Sequence, residues 1–250
     1  MKIRSKNQKV TRFIFVFCTF LFVMIGYQAT GQDKKILVYD TFHGQNAAKG
    51  NVFNTLLPSD SSAIIEIDTT EITGASLSGK YGLILFSPTK TFLTSEKDAI
   101  IRYLQTGGSL LLIFDEERRM SLSLVGVNDI IVPFGIELTD DVLARHNCGA
   151  IAEKSEVCAG KRELPYSGGR SINGGKVISR VYDDGDYIHC SYLKLPRGGK
   201  IIVMSDGMAA LLLGRPDGER FNGTGPADSK YWGKDSKIFM EEILDFLLKE

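Results

Sequence analysis

The sequence predicts an α/β fold with a mostly parallel sheet and helices on both of its faces, on the strength of three observations. Gly107-Gly108-Ser109 leads into the unbroken apolar run Leu110 to Phe114, which stops abruptly at Asp115-Glu116-Glu117. A strand that is apolar on both faces is buried on both faces, as in parallel α/β sheets. Short apolar runs alternate with segments of helical period along the chain, the order expected of β-α-β units. The chain closes on a segment where Phe239, Ile243, Phe246 and Leu247 share one face and Met240, Leu244 and Leu248 widen it, so this helix docks on the sheet.

Taken in order, Lys35 to Tyr39 reads as the first strand and ends at Asp40. Ala47 to Leu57 has helical spacing, with Val52, Phe53, Leu56 and Leu57 on one side. Ala63 to Ile67 and Tyr81 to Phe86 are strands two and three, the latter closed by Ser87-Pro88. Thr94 is placed to cap a helix whose apolar stripe is Ile100, Ile101 and Leu104 and which Gly107 ends. Strand four follows, then Leu122 to Val132 as a further helix before Pro133-Phe134-Gly135. Val177 to Tyr182, Tyr187 to Leu193 and Lys200 to Ser205 are strands, the first two joined across a turn at Asp183-Asp184-Gly185-Asp186. Between them and strand four, residues 140–176 lose all periodicity and read as a long irregular insertion, which in a compact domain is more often functional than filler.

The first 31 residues read as an export signal. Lys2, Arg4, Lys6, Lys9 and Arg12 precede the apolar stretch Phe13 to Gly26, which is short for a membrane span, and Ala29-Thr30-Gly31 supplies small residues for cleavage before Gln32. The mature domain is then residues 32–250. The chain carries 30 basic and 30 acidic residues; without the five basic residues of the leader the balance is 25 against 30, or −5. An acidic domain without basic clusters is a poor partner for nucleic acid or anionic membranes. Export permits disulfides, and Cys148 with Cys158 is the expected pair, while Cys190 lies in a strand and reads as a small buried side chain.

Candidate functional residues gather where strands end. Asp40, Asp115 and Asp206 each follow a predicted strand, so in a parallel sheet they rim one crevice. Neighbouring carboxylates drive their pKa values apart and can supply an acid and a base; alternatively each caps the backbone that follows it. Glu116 is the better placed of the two glutamates after Asp115. His43 and Gln45 sit in the loop after strand one, where His43 is either a proton donor or acceptor, or a partner of loop backbone. His146, Asn147, Tyr166 and Arg170 lie in the insertion and would reach the crevice if it folds over as a lid. Arg170 is a clamp for a carboxylate or an ordinary ion-pair partner of Asp183 or Asp184. Trp232, in a Gly-rich loop before the last helix, is a stacking face or a cover for the sheet, and Asp235 caps that helix. A divalent cation on His43, His146 and a carboxylate has no supporting H-x-H or H-x-x-x-H spacing, so neither metal nor cofactor is predicted.

Several stretches together resemble the class I glutamine-amidotransferase-like superfamily, and most closely its GIFT-domain and ThuA-like branches. They are Asp40-Thr41-Phe42-His43-Gly44-Gln45, the Gly107 to Phe114 strand with Val127 to Ile136 after it, Ser205-Asp206-Gly207, and Tyr231 to Ser236. The resemblance implies a flavodoxin-like three-layer α/β/α sandwich. Amidotransferases place a Cys nucleophile on the turn after the central strand. Here Asp115 stands in that region with no Cys or Ser directly after Phe114, so glutamine hydrolysis through a thioester is not expected. The expected function is that of an exported domain binding a small polar ligand, a carbohydrate or sugar acid, through Asp40, His43, Gln45, Asp115, Glu116, His146, Asn147, Arg170, Asp206 and Trp232. Two alternatives stand beside it: a carbohydrate hydrolase using His43, Asp115 or Asp40 as acid and base, and a non-catalytic protein-interaction module.

Overall fold

A computed structural model describes residues 34–44, 53–59, 61–143, 149–166, 168–181, 186–207 and 235–249. Its strands are β1 (Ile36–Asp40), β2 (Ile64–Asp68), β3 (Gly82–Phe86), β4 (Ser109–Ile113), β5 (Glu137–Leu143), β6 (Ala150–Ala152), β7 (Arg162–Leu164), β8 (Gly168–Asn173), β9 (Lys176–Val181), β10 (Ile188–Lys194) and β11 (Lys200–Met204). The helices are α1 (Thr94–Gln105), α2 (Leu122–Val125), α3 (Asn128–Ile131) and α4 (Ser236–Leu248), with a 3₁₀ turn at Val132–Phe134.

Nine strands form one sheet in the order β2-β1-β3-β4-β11-β10-β9-β6-β7, and β5 and β8 form a separate antiparallel pair. The fold is α/β, but the sheet is mixed rather than mostly parallel. The four pairings from β2 to β11 are parallel and the four from β11 to β7 are antiparallel. The parallel half is the legible one: every residue of β3, β4 and β11 is buried, and such strands need apolar side chains on both faces.

Alternate side chains feed two cores. Leu37, Tyr39, Ile84, Phe86, Leu111, Ile113, Ile202 and Met204 pack with Phe239, Met240, Ile243, Leu244 and Leu247 of α4. Val38, Leu83, Leu85, Leu110, Leu112, Ile201 and Val203 pack with Ile100 and Leu104 of α1, with Val125, Ile130 and Ile131, and with Leu138 and Ile172 of the β5–β8 pair. The period of two in a strand produces this division directly. Phe239 is fully buried against the sheet, so Phe239→Ala is expected to cost about 3–5 kcal/mol in thermal or denaturant unfolding.

Several expectations need correction. The segment read as an irregular insertion at 140–176 holds most of β5 together with β6, β7 and β8. β8 opens on two glycines, and β6 and β7 have three residues each, too few to show alternation. Leu122 to Val132 is not one helix: Gly126 takes φ +75°, a left-handed conformation that closes α2 as a C-cap, and α3 begins afresh at Asn128. Thr94 does not cap α1. Leu93 occupies the cap position, and the Glu96 carboxylate accepts its backbone N–H at 2.8 Å. Asp235 stands at the cap of α4 without capping it; its carboxylate accepts the N–H of Glu163 at 2.8 Å and so anchors β7. Of the helix expected at 47–57, only Phe53 and Asn54 are described as helical, and residues 45–52 lie outside the described residues. Cys158 is a free, fully buried thiol in the core that α4 covers, so the expected Cys148–Cys158 bridge is not formed; Cys148 lies outside the described residues. No helix among the described residues is long and apolar enough to cross a membrane.

Candidate functional site

Strands β1, β3, β4 and β11 run parallel, so the residues after them emerge at one end of the sheet. Asp40, Asp115 and Asp206 therefore do share an end. They do not form one cluster. β3 lies between β1 and β4, which sets those two strands about 10 Å apart, and the carboxylates enter two different networks.

The first network is centred on His43, whose side chain is wholly buried. Nδ1 meets Asp40 Oδ2 at 3.1 Å and Nε2 meets Glu96 Oε2 at 3.2 Å. Asp40 also accepts the N–H groups of Phe42 at 3.0 Å and His43 at 3.3 Å, the short-range turn typical of Asp after a strand. Glu96 accepts Ile72 N–H at 2.9 Å besides that of Leu93. The imidazole stacks on Phe92 at 4.0 Å between centroids. Burial lowers the His43 pKa, but the hydrogen bond and charge of Asp40, with the charge and hydrogen bond of Glu96, outweigh it and leave the pKa raised. An imidazolium with a carboxylate on each nitrogen is a clamp joining the β1 loop to α1, and neither nitrogen is left to face a substrate.

The second network follows β4. Asp115, Glu116 and Arg170 are all buried. Asp115 accepts the N–H of Glu116 at 2.8 Å and Arg119 Nη1 at 3.1 Å; burial raises its pKa despite these partners. Glu116, expected at the site, is turned to Arg118 at 2.6 Å and Arg119 at 3.3 Å. Glu117 is exposed instead and pairs with Arg170. Arg170 is a strand residue rather than a lid residue, because β8 crosses the end of β11. Arg170 N–H donates to Ser205 O at 3.1 Å, and a Cβ on Gly169 would stand 2.0 Å from that same oxygen, so only glycine permits the crossing. The guanidinium donates to the carbonyls of Asp115 and Thr139 at 3.2 Å and of Met120 at 3.1 Å. Among the described residues it is an internal tie; Asp183 and Asp184, one of its two expected sets of partners, lie outside them. Asp206 is buried and accepts Gly168 N–H at 3.3 Å, fixing the start of the same strand. Tyr166 is buried as well, its hydroxyl donating to Val142 O at 2.8 Å, so it too is a packing residue rather than part of a lid.

Three residues of these networks escape a reading of the sequence: Glu96, Arg119 and Ser87. Glu96 occupies the third position of a helix, a common place for an acid, and nothing local points to His43. Ser87 carries φ +49° at the end of β3, a conformation uncommon for a residue with a Cβ. A Cβ on Gly207 would lie 3.5 Å from Ser87 Oγ and 3.9 Å from Asp115 Oδ2, so Ser87, Asp115 and Gly207 meet at this end of the sheet. Gln45, His146, Asn147 and Trp232 lie outside the described residues. Among the described residues, no group of three or more His, Cys, Asp or Glu side chains is arranged to hold a metal ion.

A groove of about 600 Å³ opens beside Arg170. Glu117, Ser123, Asn128, Glu137, Thr139 and Asp140 supply its polar lining. Asn128 is locked by hydrogen bonds to both the N–H and the carbonyl of Leu138, at 3.0 and 2.8 Å, while Glu117, Glu137 and Asp140 are exposed. The groove is acidic, since Glu117 already neutralises Arg170.

Comparison with known proteins adds the fold. No family model and no curated protein matches the chain. The solved mmIFT52 N-terminal domain superposes with a TM-score of 0.62 at 15% identity, covering 86% of this chain and 98% of that one. This chain has the fold of that domain. Exo-beta-1,4-mannosidase Op5Man5 from Opitutaceae bacterium strain TAV5 matches with a TM-score of 0.53 at 13% identity, over 92% of this chain and 38% of the enzyme. A GMP synthase component from Thermoplasma acidophilum gives a TM-score of 0.41 at 12% identity, over 84% of this chain and 92% of that one. At these identities the likeness is one of fold alone.

Proposed function

We propose that this chain is an exported, non-catalytic binding domain of the amidotransferase-like superfamily, with its flavodoxin-like layering, and that it holds a small neutral carbohydrate in the groove beside Arg170. One observation carries the reading. The ionisable groups at the strand ends are bonded to one another, while an open groove next to them offers carboxylates, hydroxyls and an amide as hydrogen-bond partners. Its volume falls within the roughly 300–1,000 Å³ usual for small-molecule sites. The acidic lining disfavours a sugar acid here, which narrows the ligand to an uncharged polyhydroxylated one. The occurrence of this fold within 38% of an exo-beta-1,4-mannosidase agrees with a carbohydrate. Calorimetric titration with neutral mono- and disaccharides tests the proposal. Binding should weaken about tenfold, or about 1.4 kcal/mol, when exposed Glu137 and Asp140 are both changed to Ala. Absence of binding across the panel would leave the protein-interaction reading in its place.

A hydrolase remains the second reading because Asp115, its pKa raised by burial, has the character of a general acid beside Ser87. Asp115→Asn separates the two. With a folded pKa above the unfolded one, ionisation of Asp115 opposes folding as pH rises through that interval. The variant is therefore expected to keep or raise Tm at neutral pH. If the protein turns over an oligosaccharide, the same variant must abolish turnover; equal rates would remove Asp115 from any chemistry.

A further inference from the structure

The opposite end of the sheet carries a second cavity, of about 460 Å³, where β3 and β4 begin and α1 ends. Its chemistry is the reverse of the strand-end groove. Arg102 and Lys80 are its only charged lining residues among those described, with Tyr81 and Tyr103 beside them. Lys80 is paired with Glu66 at 2.8 Å, whereas the exposed guanidinium of Arg102 makes no hydrogen bond or ion pair among the described residues. One uncompensated guanidinium therefore faces the cavity in a domain whose formal balance is acidic.

Helix C-termini repel anions through their unsatisfied carbonyls, but the end of α1 is closed. The carbonyls of Arg102, Leu104 and Tyr103 accept the N–H groups of Thr106, Gly107 and Gly108 at 3.1, 3.1 and 3.0 Å. The nearby N–H groups of Ser78 and Lys80 are likewise spent, on Ala75 and Leu77 at 3.2 Å each. Phosphate sites rely on several convergent free backbone N–H groups, and those of Ser78, Lys80, Thr106, Gly107 and Gly108 are occupied. A single planar guanidinium beside aromatic surface matches instead one carboxylate on a compact ring.

We infer that this cavity is a binding site for a carboxylate-bearing sugar of uronate type, with Arg102 holding the carboxylate and Tyr103 beside the ring; Tyr81 lines the cavity but its hydroxyl is turned to Leu248 O at 3.0 Å. Calorimetric titration of the purified protein with sodium glucuronate at low ionic strength tests this, with glucose and inorganic phosphate as comparators. The expected result is binding of glucuronate that weakens about tenfold in Arg102→Gln, weakens at high salt, and is retained in the Glu137→Ala, Asp140→Ala double variant. Arg102 is an exposed helix residue, so an unchanged Tm will show that the variant is folded. No heat with glucuronate, equal affinity in Arg102→Gln, or phosphate binding as tightly as glucuronate would each overturn the site. Failure here leaves the neutral-sugar groove untouched, because the two sites share no residue.

Discussion

Replacing His43 by alanine is expected to destabilise the protein by about 3–5 kcal/mol near neutral pH, the usual loss when one member of a buried ion pair is removed. The substitution strands Asp40 and Glu96, both buried, on either side of an emptied imidazole site and deprives Phe92 of its stacking partner. The pH dependence identifies the cause. Because the folded pKa of His43 lies above its ordinary value, its contribution is present in full below the ordinary histidine range. It is lost as pH rises through the folded value. The wild-type protein should therefore lose stability across that rise. His43→Ala should lack that loss, and mild acid should partly rescue it as the stranded carboxylates take up protons. Denaturant unfolding at about pH 5.5 and about pH 8.5 measures both effects. An alanine variant as stable as the wild type at both values would mean that the imidazole is not a charged clamp.

Arg170→Met is expected to cost a comparable amount, about 3–5 kcal/mol, for a different reason. Methionine approximates the apolar stem but donates nothing, so the carbonyls of Asp115, Met120 and Thr139 lose a charged donor and Glu117 loses its partner. Each carbonyl left without a partner costs about 1–3 kcal/mol. The damage should be local first. Hydrogen exchange is expected to accelerate in β5 and β8 while β3, β4 and β11, buried along their whole length, stay protected. Arg170→Lys should recover only part of the loss, since an ammonium cannot span three carbonyls and a carboxylate at once. Uniform exchange across the molecule, or none beyond the wild-type rate in β5 and β8, would contradict the role of Arg170 as the tie between the β5–β8 pair and the sheet.

Much of the architecture was legible because burial is written into composition. Leu110 to Phe114 could only be a fully buried strand, and strands expected at 35–39, 63–67 and 81–86 lie within one residue of β1, β2 and β3. The stripe of α4 is buried as its spacing required. What failed was the stretch that holds β5 to β8. Three-residue strands at β6 and β7, and the glycines that open β8, leave no period to read. The single helix expected from 122 to 132 failed on one backbone angle, at Gly126.

The candidate site divides along the same line. That acidic residues would stand at the carboxyl ends of parallel strands followed from their positions after apolar runs, and Asp40, Asp115 and Asp206 are there. Their partners did not follow. Glu96 is 53 residues from His43 and Arg170 is 53 from Glu117, separations at which no local pattern links two side chains. The chain by itself determined which segments are buried and at which end the carboxylates emerge, because both depend only on residues close in sequence. Only the tertiary structure decided that Asp40 is spent on His43, Asp115 on Arg119 and Asp206 on the backbone of β8, and that Glu117 rather than Glu116 faces the open groove. Hydrogen bonds and ion pairs between distant segments exist only once the sheet has assembled and β8 has crossed its end.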